Sequence, residues 1–161
     1  MIFVSVGSQK FQFDRLLKQL DVLLEEKIIE DQIVAQVGVS QYVPKYYTAV
    51  PFLDREAFSE HVDACSLMIT HGGTGAIIGA VKKGTKVIAV PRLARYGEHV
   101  DDHQLQLIHQ FDDLNLICPC YDVEKLGECC KKIETMTFRP YVSNTQRIVE
   151  SIDEYLTGLT K

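Results

Sequence analysis

Leu67-Met68-Ile69-Thr70-His71-Gly72-Gly73-Thr74-Gly75 is the stretch whose reading decides the fold. Leu67 to Thr70 has the apolar, β-branched character of a buried strand, three glycines in four residues make a tight turn, and Ala76 to Lys83 continues as a helix that Gly84 stops. Strand, turn and helix follow one another without a spare residue. At such a junction the first free N–H groups of the helix and the positive end of its dipole face whatever lies above the strand end.

Working outward, the same alternation repeats. Ile2 to Val6 ends at Gly7-Ser8 and leads into Phe13, Leu16, Leu17, Leu20, Leu23 and Leu24 at helical spacing. Ile33 to Val37 and Ala49 to Leu53 read as the second and third strands, and Asp54 to Asp63 as a short helix. Lys86 to Val90 is a fifth strand ended by Pro91, followed by a polar loop and a helix from about Asp101 to Phe111. Leu116 to Cys118 is a short sixth strand, and helices over Val123 to Glu134 and Ser143 to Leu156 are separated by Pro140. Strands alternating with helices predict a single α/β domain, a doubly wound, Rossmann-like parallel sheet covered on both faces. Ligands bind such sheets at the carboxyl ends of the strands, which directs attention to the turns after the first, fourth and fifth.

The bulk composition narrows the function. A chain of 161 residues, 46% hydrophobic and 24% charged, has the balance of one globular domain. Its net charge of −5 argues against a general grip on nucleic acid or anionic lipid, so any phosphate site is local. The longest apolar runs, such as Val87 to Val90, are far short of the roughly 20 residues that cross a bilayer. The opening Met1-Ile2-Phe3 carries no basic leader, and the expected location is the cytoplasm. There the five cysteines are expected as reduced, small buried hydrophobes. A zinc site from Cys118, Cys120, Cys129 and Cys130 is disfavoured, because their spacing does not match paired C-x₂₋₄-C ligands.

Three loops carry the candidate chemistry. His71-Gly72-Gly73-Thr74-Gly75 is a candidate diphosphate site, with backbone N–H groups, an imidazole and a hydroxyl. It matches neither G-x-G-x-x-G nor the P-loop, and its bland alternative is a turn that only permits close strand-to-helix packing. Gly7 and Ser8 occupy the matching position after the first strand and either line the same crevice or merely turn the chain. Arg92, Glu98, Asp102, His103 and Gln104 follow the fifth strand; Arg92 and His103 suit phosphate, and the others suit sugar or ribose hydroxyls. The alternative for this segment is a solvated helix start. His99 and His103 form an i, i+4 pair for which the sequence places no third ligand, so no metal is expected. Tyr42, Tyr46, Tyr47 and Phe52 are read as packing or interface residues in preference to a stacking platform. No spacing marks a covalent nucleophile.

Taken together, Phe3-Val4-Ser5-Val6-Gly7-Ser8 with Phe13-Asp14-Arg15, His71 to Gly75, Val90-Pro91-Arg92 and Glu98-His99-Val100-Asp101-Asp102-His103-Gln104 resemble the C-terminal-domain family of family 28 glycosyltransferases in its single-domain form. The likeness runs from Ile2 to about Tyr155 and is strongest to subunits of two-part transferases of capsular and exopolysaccharide synthesis. It implies the C-terminal half of a GT-B fold, which binds a UDP-sugar as substrate, needs no cofactor or metal, and inverts the anomeric carbon. It implies a separate, membrane-attached partner subunit that holds a lipid-linked acceptor. By the same resemblance Gly7 and Ser8 line the donor site, His71 to Gly75 hold the diphosphate, and Glu98, Asp102, His103 and Gln104 meet donor sugar and phosphate. His71 is then a catalytic electrostatic group, and the general base is either Glu98 or a group on the partner subunit. One departure stands out: full-length relatives carry a ribose-binding glutamate in the helix after the glycine turn, whereas Ala76-Ile77-Ile78-Gly79-Ala80-Val81 has no acid. Two rival readings are a non-catalytic accessory subunit and a sugar-nucleotide epimerase, and an isolated chain is expected to expose an apolar surface and to self-associate.

Overall fold

A computed structural model describes residues 1–159. Six strands, β1 (Ile2–Ser5), β2 (Ile33–Gln36), β3 (Thr48–Val50), β4 (Leu67–His71), β5 (Lys86–Val90) and β6 (Cys118–Pro119), form one sheet. Every pairing is parallel, in the order β3-β2-β1-β4-β5-β6. Helices α1 (Asp14–Glu25), α2 (Arg55–Ala64), α3 (Thr74–Lys82), α4 (His103–Asp113), α5 (Leu126–Thr135) and α6 (Thr145–Leu159) complete the chain. The Rossmann-like α/β fold expected from the sequence is the one observed.

Strand periodicity builds two cores. Ile2, Val4, Ile69, Ile88 and Val90 point to one face, where Leu16, Leu17, Leu20 and Leu23 of α1 cover them. Phe3, Met68, Val87 and Ala89 point to the other, under Val62, Ile77, Ala80 and Ile108 of α2, α3 and α4. A parallel sheet buried on both faces needs such near-continuous apolar strands.

The boundaries differ from the expected ones for local reasons. The third strand ends at Val50, not Leu53, since Pro51 has no N–H for the ladder and the Leu53 N–H donates to Gln36 Oε1 at 3.1 Å. Helix α3 starts at Thr74, with Gly73 (φ −78°, ψ 119°) as its N-cap, so the last two residues of the glycine turn are already helical. The helix after β5 starts at His103 instead of Asp101.

Connection through β1 and β4 positions the site. From β1 the chain steps outward to β2 and β3, and from β4 to β5 and β6, so the strand order reverses between these central neighbours. The crevice above their carboxyl ends is where a doubly wound sheet takes ligands. Among the described residues no helix is long and apolar enough to cross a membrane.

Candidate functional site

His71 is the last residue of β4, and its ring lies between the turns after β1 and β4. A Cβ on Gly7 would come within 2.6 Å of His71 Cε1, and one on Gly73 within 2.3 Å of Nε2. Both glycines are therefore needed to make room for the imidazole, and Gly7 also has φ +81°. Gly72 is needed for a different neighbour, because its Cβ would meet Gln104 Cβ at 2.7 Å. Gly75 meets nothing within 4 Å. The three glycines of the motif thus do three different things.

The hydrogen bonds around His71 assign its tautomer. Nδ1 lies 3.4 Å from Ser5 O and 3.3 Å from Thr70 Oγ1, and the Thr70 hydroxyl already donates to Ser5 O at 2.9 Å. Both neighbours of Nδ1 accept, which puts the proton on Nδ1 and leaves a lone pair on Nε2. Burial, with the Arg92 guanidinium nearby, pushes the His71 pKa down to about 4, against a weaker raising effect of the bond to Ser5. The ring is neutral at pH 7.

Helix α3 has no side-chain cap at Gly73, so its first N–H groups are unclaimed by a capping side chain. They border a crevice of about 460 Å³ lined by Gly7, Ser8, His71, Gly73, Thr74 and Gly75 on one side and Leu53, Arg55 and Phe58 on the other. This is an open anion site with a nearby apolar wall. Ser8, Thr74 and Gly75 are exposed, as a ligand contact requires.

Arg92, Glu98 and Gln104 are placed differently from the sequence expectation. Glu98 is fully buried: its carboxylate takes Arg15 Nε at 2.9 Å and Arg15 Nη2 at 3.0 Å, and Oε2 also takes the Leu93 N–H at 3.0 Å. It borders a separate cleft of about 800 Å³ with Arg15 and Tyr96, not the glycine-turn crevice. Committed in this way, the Glu98 carboxylate faces Arg15 and the Leu93 N–H instead of the glycine-turn crevice, and it fixes the loop after β5. Gln104 Oε1 accepts the N–H of Gly72 at 3.2 Å and of Arg92 at 2.9 Å, joining the turns after β4 and β5. Arg92 is itself fully buried and donates through Nη2 to Val6 O and to Phe11 O, tying in the turn after β1. Its Nε and Nη1 have no partner, and burial lowers its pKa to about 10 even with Glu98 nearby. Arg92 and Gln104 therefore act from behind the turns: the first as a buried cation, the second as a clamp.

The structure does not bring Asp102 and His103 to the lining of the glycine-turn crevice: both are exposed, Asp102 Oδ1 accepts the Ala94 N–H at 2.7 Å, and His103 Nδ1 contacts Asp101 Oδ1. The tyrosines pack on α1 as read: Tyr42 donates to Asp21 Oδ2 at 2.7 Å and Tyr47 to Leu17 O at 2.9 Å. Sequence reasoning gave no role to Gln36, whose Nε2 donates to Gly7 O at 3.4 Å while its Oε1 holds Leu53. It assigned none to Arg15 either. A glutamine ending a buried strand is the signal available for the first; the second stands in the Phe13-Asp14-Arg15 stretch that carries the resemblance, with nothing local to name its partner.

The comparisons with known proteins agree with this fold. The model of the glycosyltransferase family 28 C-terminal domain matches residues 1–155. No curated protein matches the sequence. Among solved structures, the glycotransferase of kitacinnamycin superposes with a TM-score of 0.63 at 14% identity, over 84% of this chain and 34% of its own. Acinetobacter baumannii MurG gives 0.60 at 20% identity, over 83% and 41%. The glycosyltransferase SnogD from Streptomyces nogalater gives 0.58 at 18%, over 82% and 33%. This chain thus spans about a third to two fifths of the length of these three structures, and the likeness is one of fold. With the family model covering nearly its whole length, the chain belongs to the glycosyltransferase family 28 C-terminal domain family, the C-terminal half of a GT-B architecture.

Proposed function

We propose that this chain is the donor-binding catalytic subunit of an inverting UDP-sugar hexosyltransferase. It acts in exopolysaccharide or capsule synthesis on a lipid-linked acceptor held by a membrane-attached partner, which keeps it at the cytoplasmic face. The observation that carries the reading is the uncapped start of α3 opening on a crevice at the β1/β4 reversal, with the buried Arg92 behind it. An N–H cluster, a helix dipole and a fixed cation favour a diphosphate there.

In the transfer, an acceptor oxygen bonds to the anomeric carbon as the bond from that carbon to the diphosphate breaks, and the electron pair leaves on the phosphate oxygen. Fixed donors at the glycine turn stabilise that growing charge. With Glu98 held by Arg15, the base that takes the acceptor proton is assigned to the partner. Helix α6, where Ile148, Ile152, Tyr155 and Leu156 are exposed and join neither core, supports a two-chain arrangement.

Calorimetric titration with UDP, UDP-glucose, UDP-galactose and UDP-N-acetylglucosamine tests the reading. Saturable binding that weakens at least about tenfold in a folded His71→Ala chain is expected. Absence of binding, both alone and with the partner present, overturns it in favour of an accessory subunit.

A further inference from the structure

Among the described residues, a cluster of ligating groups lies outside the glycine-turn crevice. His99, Asp101 and His103 each offer an atom, and all three atoms lie within 4.8 Å of one another. The histidine pair is legible in the sequence without a third ligand; the turn before α4 supplies it by folding Asp101 back between them. His99 Nδ1 lies 3.3 Å from Asp101 Oδ1, and His103 Nδ1 contacts the same oxygen.

Three nitrogens converge on that single oxygen, since the His103 backbone N–H also donates to it at 3.1 Å. One carboxylate oxygen has two lone pairs, so the three are not all satisfied as donors. The Asp101 N–H in turn points at His99 Nδ1 at 3.5 Å, which treats that nitrogen as an acceptor. A lone pair on His99 Nδ1 facing a carboxylate oxygen is repulsive, and either a proton or a metal cation between them relieves it. The 3.3 Å separation is also close to the ligand-to-ligand spacing set by metal bonds of about 2.0–2.2 Å in tetrahedral geometry. His99 is held in place: only 7% of its side chain is exposed, and its ring packs on Phe11 at 4.8 Å and on His103 at 4.6 Å.

We infer that His99, Asp101 and His103 form a binding site for a divalent transition-metal ion of the zinc type, with open coordination positions on the solvent side. Two imidazoles and one carboxylate suit Zn²⁺, Co²⁺ or Ni²⁺ and not the all-oxygen preference of Mg²⁺ or Ca²⁺. The site is separate from the diphosphate reading and does not depend on it.

Titration of the purified reduced chain with Co²⁺, followed by visible absorption, is the test. One saturable site is expected, with d–d bands, no sulfur-to-cobalt charge transfer, and displacement by Zn²⁺ but not by Mg²⁺. Asp101→Asn and His103→Ala are expected to weaken it by more than about tenfold, while Cys129→Ser leaves it unchanged. His103 and Asp101 are exposed, so these variants keep the fold, which circular dichroism checks. Absence of saturable binding overturns the inference. So does binding that survives His103→Ala and is lost in Cys129→Ser, which would place the ion among the thiols.

Discussion

His71 and Glu98 stand at the same edge of the sheet, both buried and both candidates for chemistry, yet their surroundings give them opposite roles. His71 has a single weak pair of acceptors on one side and a glycine on each of two others, so its Nε2 is free at the crevice. Glu98 has a guanidinium and a backbone N–H on its carboxylate and no free oxygen. Burial alone does not make a buried polar group functional. What separates the two is whether its bonding capacity is already used.

The largest expected effect breaks the comparison at Glu98. Replacing it with Ala leaves Arg15 and the buried Arg92 without their counter-charge, and removing one partner of a buried pair costs about 3–5 kcal/mol. Urea unfolding of Glu98→Ala should show that loss, whereas His71→Ala should unfold far closer to wild type and lose UDP binding. Equal stability losses would mean that both residues belong to one structural unit.

Acid sharpens the same contrast. The folded-state pKa of His71, about 4, lies below the ordinary value of 6.5, so the unfolded chain binds more protons between those values. His71 therefore favours folding fully at pH above 6.5, and this contribution falls away as pH drops toward 4, by up to about 3 kcal/mol. A His71→Asn chain should lack that part of the acid sensitivity in unfolding curves taken from pH 7 to pH 4. Binding runs the other way. A diphosphate beside Nε2 raises the pKa, so UDP binding is expected to be accompanied by proton uptake that grows as pH is lowered from 7 toward 5, read as a binding heat that varies with buffer ionisation enthalpy.

The sequence showed as much of this as local pattern carries. Strands β1, β4 and β5 and the turn at His71 to Gly75 were legible because each is written in consecutive residues: an apolar run, glycines, then helical spacing. The partition of the loop after β5 was not, because its members are fixed by distant partners. Arg15 lies 83 residues from Glu98, and Gly72 lies 32 from Gln104. Residues of the right type for a sugar site were read as facing it, and the fold spends three of them on holding the turns in register. The same distance effect worked in the other direction at Asp101, whose position between two histidines depends on the irregular turn preceding α4.

Smaller effects separate the glycines. Gly73→Ala forces a Cβ against His71 Nε2, and Gly72→Ala forces one against Gln104. Overpacking of this kind costs about 1–3 kcal/mol. Gly73→Ala should also displace the ring and weaken UDP binding, while Gly72→Ala should act chiefly on stability, as thermal unfolding and calorimetry together will show.

Gly75 gives the smallest effect on stability and the most selective one. It lies inside α3, where Ala is favoured over Gly by about 0.5–1 kcal/mol, and its added Cβ meets no protein atom within 4 Å. Gly75→Ala should therefore be neutral or slightly stabilising. Because nothing in the protein registers the new methyl, a ligand at the crevice is the one thing left that can. A chain that melts no lower than wild type but binds UDP more weakly puts the nucleotide against the first turn of α3. Unchanged binding puts it farther toward Gly7 and His71, where the glycines are already needed by the imidazole.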